Sequence, residues 1–291
     1  MYRTHFGLRH QPFSVAADPR FIYMSPQHKE AARHLLYGLQ SGAGFILLTG
    51  EVGSGKTMVC RTFLHLLPPE ADVANVVNPR VDFRSLLMRI CEDLHIEVTP
   101  DTPDLIDAIH GHLLLAHAQG RRTLIIVDEA QALSHEVLEL LRLLTNLDST
   151  GRKLQIFLIG QPELRDILRL PALEPVSQRI VARYHLNPLP EEETERYIEH
   201  RLRKAGLTGP VPFEPDAIHS IHRICGGVPR RINVLCDRAM LTARQRNTHR
   251  IDAQLIEQIT SEVFDTVGAM TPASAASAPG LVAEDPPVPT A

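Results

Sequence analysis

The residues whose types and spacing could do chemistry begin with Gly50-Glu51-Val52-Gly53-Ser54-Gly55-Lys56-Thr57, which fit G-x-x-x-x-G-K-[ST] at every fixed position. Glycine lets successive backbone N–H groups turn inward around phosphate oxygens, and a helix opening behind the loop adds its positive end. Lys56 is placed to reach β- and γ-phosphates, and the Thr57 hydroxyl to ligate Mg²⁺. Both flanks agree. Phe45-Ile46-Leu47-Leu48-Thr49 is an apolar strand leading in, and Met58, Val59, Phe63, Leu64 and Leu67 recur at helical spacing leading out. Residues 50–58 therefore read as a nucleotide-binding loop, with ATP and Mg²⁺ as its ligands.

Thr123-Leu124-Ile125-Ile126-Val127-Asp128-Glu129 is an apolar strand that ends in two carboxylates, which a magnesium–nucleotide site needs. Asp128 is expected to orient Mg²⁺ or its water shell, and Glu129 to polarise an attacking water. A two-acid ending favours hydrolysis over nucleotide storage. Other candidates keep two readings each. Gln161, after the strand 154–160, either senses the γ-phosphate or caps the helix opened by Pro162. Arg230, just inside a helix start behind Pro229, either contacts phosphate from a lid or lies on the surface. Phe13 and Tyr23, in the proline- and aromatic-rich opening segment, either cover an adenine face or pack on the core.

These side chains must be held by the elements around them, and strands alternate with helices from residue 27 to about 186. That alternation is the signature of an α/β fold with a parallel sheet. Pro188 and Pro190 mark a boundary, after which helical patterns at about 191–205, 214–224, 228–246 and 252–264 form a lid without strands. The expected organisation is an N-terminal segment and first helix on the nucleotide site (1–40), a phosphate-loop αβα ATPase core (41–189) and a small all-helical lid (190–266). An Ala/Pro-rich tail expected to be disordered follows (267–291).

The chain has 291 residues, 44% hydrophobic and 22% charged, enough for a sizeable core. A formal net charge of −4 excludes a global basic field for nucleic acid. Cys60, Cys91, Cys225 and Cys236 show no zinc spacing and read as buried reduced thiols. The histidines are dispersed; His110, His112 and His117 come nearest to a cluster and read as helix-surface residues rather than metal ligands. No leader peptide opens the sequence and no 18-residue apolar run exists, so a soluble protein is expected.

Taken together, these stretches resemble the AAA+ ATPases, and more narrowly the ExeA/GspA (general secretion pathway protein A) family, which includes MshM-type pilus-biogenesis ATPases. The resemblance runs from residue 1 to about 266. It is carried by Met1-Tyr2, Phe6-Gly7-Leu8, Pro12-Phe13, Asp18-Pro19-Arg20-Phe21 and His34-Leu35-Leu36-Tyr37-Gly38, then by Gly44 to Thr57 and Val127-Asp128-Glu129-Ala130-Gln131. Gly160-Gln161-Pro162-Glu163-Leu164, Gln178-Arg179-Ile180 and Pro229-Arg230-Arg231-Ile232-Asn233 complete it. The resemblance implies an αβα core with a helical lid, formation of homo-oligomers, and ATP-driven assembly with inner-membrane secretion or pilus proteins. On matching positions it implies that Arg179 is an arginine finger acting on a neighbour's ATP, with Arg183 as a rival, that Arg230 is the lid's sensor arginine, and that Gln161 takes a sensor position where Asn is common. Larger relatives continue into a transmembrane helix and a peptidoglycan-binding domain. This chain reads instead as a cytoplasmic motor or switch, docking peripherally at the inner membrane.

A DNA-associated ATPase resembling TniB/IstB-type transposition helpers is the competing reading. Between residues 201 and 250 there are ten Lys/Arg and three Asp/Glu, so the lid is locally basic. Such a face suits duplex phosphates, anionic lipid, a protein partner or simple solvation, the last two being preferred here. A small-molecule kinase fits less well, because Asp128, Glu129 and the candidate finger point to water as the acceptor.

Overall fold

The structure is a computed structural model that describes residues 2–16, 18–42, 44–68, 71–77, 82–99, 102–146 and 154–264. The expected tail (267–291) lies outside these. Five strands, β1 (Phe45–Gly50), β2 (Ala71–Val76), β3 (Arg122–Val127), β4 (Leu154–Gly160) and β5 (Ile180–Leu186), form one parallel sheet in the order β2-β3-β4-β1-β5. Every residue of β1 and β4 is buried, because helices cover both faces. That double burial is why these strands read as unbroken apolar runs instead of alternating ones.

On one face α1 (Pro26–Ser41) and α2 (Lys56–His65) bring Ala31, Leu35, Val59 and Phe63 against Ile46, Leu48, Ile126 and Phe157. On the other, α3 (Phe83–Asp93), α4 (Leu105–Ala118) and α5 (His135–Asn146) bring Leu86, Ile90, Ile109, Leu138 and Leu141 against Phe45, Ile125 and Ile156. The short α6 (Glu163–Ile167) and α7 (Glu174–Gln178) complete that layer. Helix starts follow local chemistry. Ser25, Asp82 and Asp104 cap α1, α3 and α4 by accepting N–H groups of the first turn, and Pro26 opens α1 where no N–H is needed.

The lid consists of α8 (Glu191–Lys204), α9 (Pro215–Cys225), α10 (Pro229–Gln245) and α11 (Ala253–Phe264). Its loops are tied by a single bridge between Phe213 and Ile251. The segment expected over the nucleotide site divides in two. Helix α1 lies on the sheet, whereas Tyr2, Phe6, Leu8, Phe13 and Phe21 enter the lid's own core with Tyr197, Leu202, Ile232 and Met240. Residues 2–16 and 18–21 thus strap the lid. The Tyr2 hydroxyl donates to Asp237, the His5 ring stacks on His249 at 4.0 Å, and the Arg9 N–H donates to the Ala205 carbonyl at 2.8 Å. Phe13 is 1% exposed and meets the Phe213 ring edge-on, which resolves its two readings in favour of core packing.

One glycine fixes how lid meets core. Gly227 has φ +71, and a Cβ there would lie 2.0 Å from the Leu189 carbonyl oxygen in the linker between β5 and α8. The Leu189 N–H donates to the Gly227 carbonyl at 2.9 Å. Only glycine allows this approach, and it places the start of α10 beside the phosphate loop. All four cysteines are free and buried in helices, and burial pushes the Cys60 and Cys225 thiols up to about 12. Among the described residues no helix is long and apolar enough to cross a membrane.

Candidate nucleotide site

Strand order decides where the chemistry collects. The connection after β1 passes to one face of the sheet and that after β4 to the other, so a crevice opens at their carboxyl ends, the usual ligand position in such sheets. The register pairs Thr49 with Gly160 and Val127 with Leu158. The residues that follow these strand ends are Gly50–Thr57, Asp128, Glu129 and Gln161, and the parallel ladder brings them side by side.

In the loop, Gly53 and Gly55 adopt φ +80 and +106, and Gly55 starts α2 with no side-chain cap, leaving first-turn N–H groups for an anion. Lys56 is buried. Its Nζ donates to the carbonyls of Gly50 at 2.8 Å and Glu51 at 3.0 Å. Burial lowers its pKa, and the charges of Glu129, Asp128, Glu51 and Glu163 act against that. Ser54 Oγ is buried beneath the loop, without a hydrogen-bond partner among the described residues. A buried ammonium resting on two carbonyls is what a polyphosphate would satisfy. The residues present fit the nucleotide.

Asp128 follows β3 and accepts from the Glu129 N–H at 2.9 Å. Burial raises its carboxyl above the ordinary value, and that bond, Lys56 and the nearby Thr57 hydroxyl offset only part of this. A carboxylate and a hydroxyl near one another at the foot of the loop fit the oxygen set that Mg²⁺ takes. Glu129 has φ +57, a left-handed conformation uncommon for a side-chain-bearing residue. Its Oε2 accepts from Gln131 Nε2 at 2.6 Å and Gln161 Nε2 at 3.1 Å. Burial pushes this carboxyl up, but the two amides and the Lys56 charge outweigh it and hold it below the usual value. The Gln161 side chain thus points to Glu129 and does not cap α6.

A cleft of about 390 Å³ lies over these groups, walled on the far side by the strap and lid. Val52, Thr57, Met58 and Glu129 line the core side; Val15, Ile22, Tyr23, Tyr197, Arg230 and Asn233 line the other. Tyr23 is both wall and packing residue: its hydroxyl donates to Glu193 at 2.6 Å and its ring meets Tyr197 edge-on. Arg230 reaches the loop itself. Its N–H points at the Gly53 carbonyl, and a Cβ on Gly53 would lie 2.4 Å from that of Arg230.

Arg179 is not brought to this cleft. It ends α7 just before β5, at the opposite end of the sheet, and its guanidinium donates to Thr145 Oγ1 at 2.8 Å. Arg183 is tied to the Ser177 carbonyl and hydroxyl, both at 2.8 Å.

Three residues escape motif reading. His28 in α1 is buried, donates from Nε2 to the Ser54 carbonyl at 3.1 Å and accepts at Nδ1 from Ser25 at 2.6 Å. A Cβ on Gly55 would strike it at 2.5 Å. Arg201 is buried and, among the described residues, bonds only to neutral acceptors, the Pro12 and Ser14 carbonyls and the Tyr197 hydroxyl, while lying over the Phe21 ring at 5.2 Å. Gln131 is the third. The only trace of His28 in the sequence is Gly55 itself, which the motif already explains.

This fold and loop define the class: residues 18–168 match the AAA domain family, and the chain belongs to it, an AAA ATPase by family. Within that class, 254 residues are 48% identical to General secretion pathway protein A of Aeromonas hydrophila, covering 86% of this chain and 46% of that protein. An uncharacterised HTH-type transcriptional regulator of Methanocaldococcus jannaschii is 30% identical over 115 residues, 38% of this chain and 28% of that one. The chain therefore spans less than half the length of these curated relatives. Among solved structures, Cdc6p of Pyrobaculum aerophilum shares the fold with TM-score 0.65 and 16% identity, over 88% of this chain and 75% of that one. The Aeropyrum pernix ORC2 protein, in ADPNP–ADP complexes, gives 0.60 and 20%, over 84% and 71%.

Proposed function

We propose that the chain binds Mg-ATP in this cleft and hydrolyses it, using the two nucleotide states to drive or regulate assembly of an envelope machine. The single observation that carries hydrolysis is the Glu129 carboxylate, which lines the same cleft as the phosphate loop. Lys56 exchanges its two carbonyl partners for β- and γ-phosphate oxygens, and the loop N–H groups and the start of α2 take up the remaining charge. Thr57 and Asp128 would hold Mg²⁺, which would supply positive charge to offset that of the polyphosphate. Glu129 orients a water and receives its proton as the water attacks the γ-phosphorus, the bond from that phosphorus to the β–γ bridging oxygen breaks, and ADP leaves with phosphate as the other product. Arg230 closes on the phosphates from the lid.

The machine is inferred from the likeness to General secretion pathway protein A. Type II secretion, a type IV or MSHA-type pilus, or exopolysaccharide export are the settings it suggests, with the chain at the cytoplasmic side of the inner membrane. Homo-oligomerisation belongs to the same reading. Arg179, at the end of the sheet away from its own cleft, is available to complete a neighbour's site. The basic lid lends little to the DNA alternative. Arg203, Arg223, Arg238 and Arg250 pair with Glu199, Glu257, Glu262 and Glu214, three of them outside the basic stretch, and Arg201 is buried.

Mg-ATP turnover across a protein dilution series, with and without duplex DNA, tests this. Specific activity is expected to rise with concentration, to ignore DNA, and to fall by about 10²–10⁴-fold in Glu129→Gln while nucleotide is still bound. Wild-type turnover in Glu129→Gln refutes the base assignment, and salt-sensitive stimulation by DNA moves the protein to the transposition-helper reading.

A further inference from the structure

We infer that Gln131 is the positioning residue for Glu129, a two-ended amide brace that fixes the carboxylate and leaves Gln161 free to exchange partners. The inference rests on Glu129 being the base. Gln131 lies in the 3₁₀ turn Ala130–Ala132, directly behind the left-handed Glu129. Its Nε2 donates to Glu129 Oε2 at 2.6 Å, and its Oε1 accepts the backbone N–H of Gln161 at 3.1 Å. One side chain therefore bolts the end of β3 to the end of β4. Both amide donors converge on Oε2. Among the described residues no donor is found on Oε1, which is left to face a water.

Gly160 supplies an independent sign. Its φ is not left-handed, so no turn requires glycine there; a Cβ would lie 2.8 Å from Gln131 Oε1 and from Leu164 Cδ2. Space at the end of β4 is kept open for the brace. The two glutamines are unequal. Gln131 spends both ends of its amide on the protein, whereas the Gln161 side chain makes one bond, at 3.1 Å. When a γ-phosphate enters, Gln161 can turn to it at the cost of that bond, and Gln131 still holds Glu129.

The test separates positioning from architecture. Gln131→Glu is isosteric and keeps an acceptor for the Gln161 N–H, but sets an oxygen against Glu129 Oε2. Steady-state ATP hydrolysis is compared for wild type, Gln131→Glu, Gln131→Ala, Glu129→Gln and the Glu129→Gln/Gln131→Glu double variant. Binding of a non-hydrolysable ATP analogue by calorimetry and thermal unfolding are followed alongside. The expected result for both Gln131 variants is a kcat lowered by about 10-fold or more, part of what a positioned base supplies, with KM and analogue affinity unchanged. In the Glu129→Gln background Gln131→Glu should cost nothing further, because it acts through Glu129. Wild-type kcat in Gln131→Glu, or an equal loss in both backgrounds, overturns the inference while the hydrolase reading stands. Full turnover in Glu129→Gln overturns both. If Gln131→Glu does not fold, Gln131→Ala carries the same comparison.

Discussion

On the core side of the cleft Asp128, Glu129 and Gln161 sit within two residues of a buried parallel strand, the phosphate loop leaves the end of another, and the ladder sets their spacing. On the lid side they come from residues 14 to 23 and 189 to 233, joined across the molecule by a few buried polar bonds. The first wall is built from backbone: loop N–H groups, strand ends and glycines. The second is built from side chains, with Arg201 clamping the strap to α8 and Tyr197 bonding Asn233 at 2.8 Å. A wall made of backbone is pre-organised for an anion before it arrives. A wall made of side chains on a separate layer is suited to report arrival.

Substitutions on the two walls should then separate affinity from stability. Lys56→Ala is expected to produce the largest change, loss of tight Mg-ATP binding by about 100-fold or more, since a charge-assisted contact to phosphate disappears. Unfolding should remain cooperative, and normal affinity by calorimetry would remove the loop from the site. Arg201→Met should act in the opposite sense. It leaves the Pro12 and Ser14 carbonyls of the strap without their guanidinium donor, so a loss of about 2 kcal/mol or more of stability is expected by denaturant titration, with the core-side contacts to nucleotide intact. Equal stability would mean that the strap is not clamped there.

Arg230→Ala, which touches both walls, should weaken ATP by about 10-fold with little change in unfolding, as one exposed charge-assisted contact is lost. The smallest effect is on pH. Burial holds His28 below the ordinary imidazole value, with the Ser54 carbonyl and Glu193 opposing it, and burial likewise lowers His200 in the lid. The unfolded chain therefore takes up protons first as the pH falls below about 6.5. Stability should be full above that value and decline below it, and His28→Asn should flatten part of the slope in a thermal melt series. An unchanged slope would exclude His28 as a contributor.

The comparison also explains what the sequence discloses. Gly50–Thr57 and Asp128-Glu129 were legible because phosphate and metal chemistry demands those types at fixed local spacing, next to an apolar strand. The sheet was legible for the same reason of continuous burial. Gln161 kept two readings because sequence cannot say whether a side chain after a strand turns to the next helix or to the neighbouring strand; the bond to Glu129 is a tertiary fact. Tyr23 and Phe13 looked equivalent as aromatics of one irregular segment, yet Phe13 enters the lid core and only Tyr23 reaches the cleft. The basic stretch in the lid kept several readings for a related reason. A window of sequence counts charges, whereas their partners Glu199, Glu257 and Glu262 approach from other helices or turns.

The strap has a further consequence during biosynthesis. Tyr2 leaves the ribosome well before its partner Asp237, which lies 235 positions later in the chain. At about 5–20 residues per second, the aromatic residues of the opening segment wait roughly 10–50 s before the surface that buries them exists. The sheet can close in that interval, because its last strand ends at Leu186. The lid cannot, so the site acquires its anion-binding wall first and its second wall only when strap and lid meet.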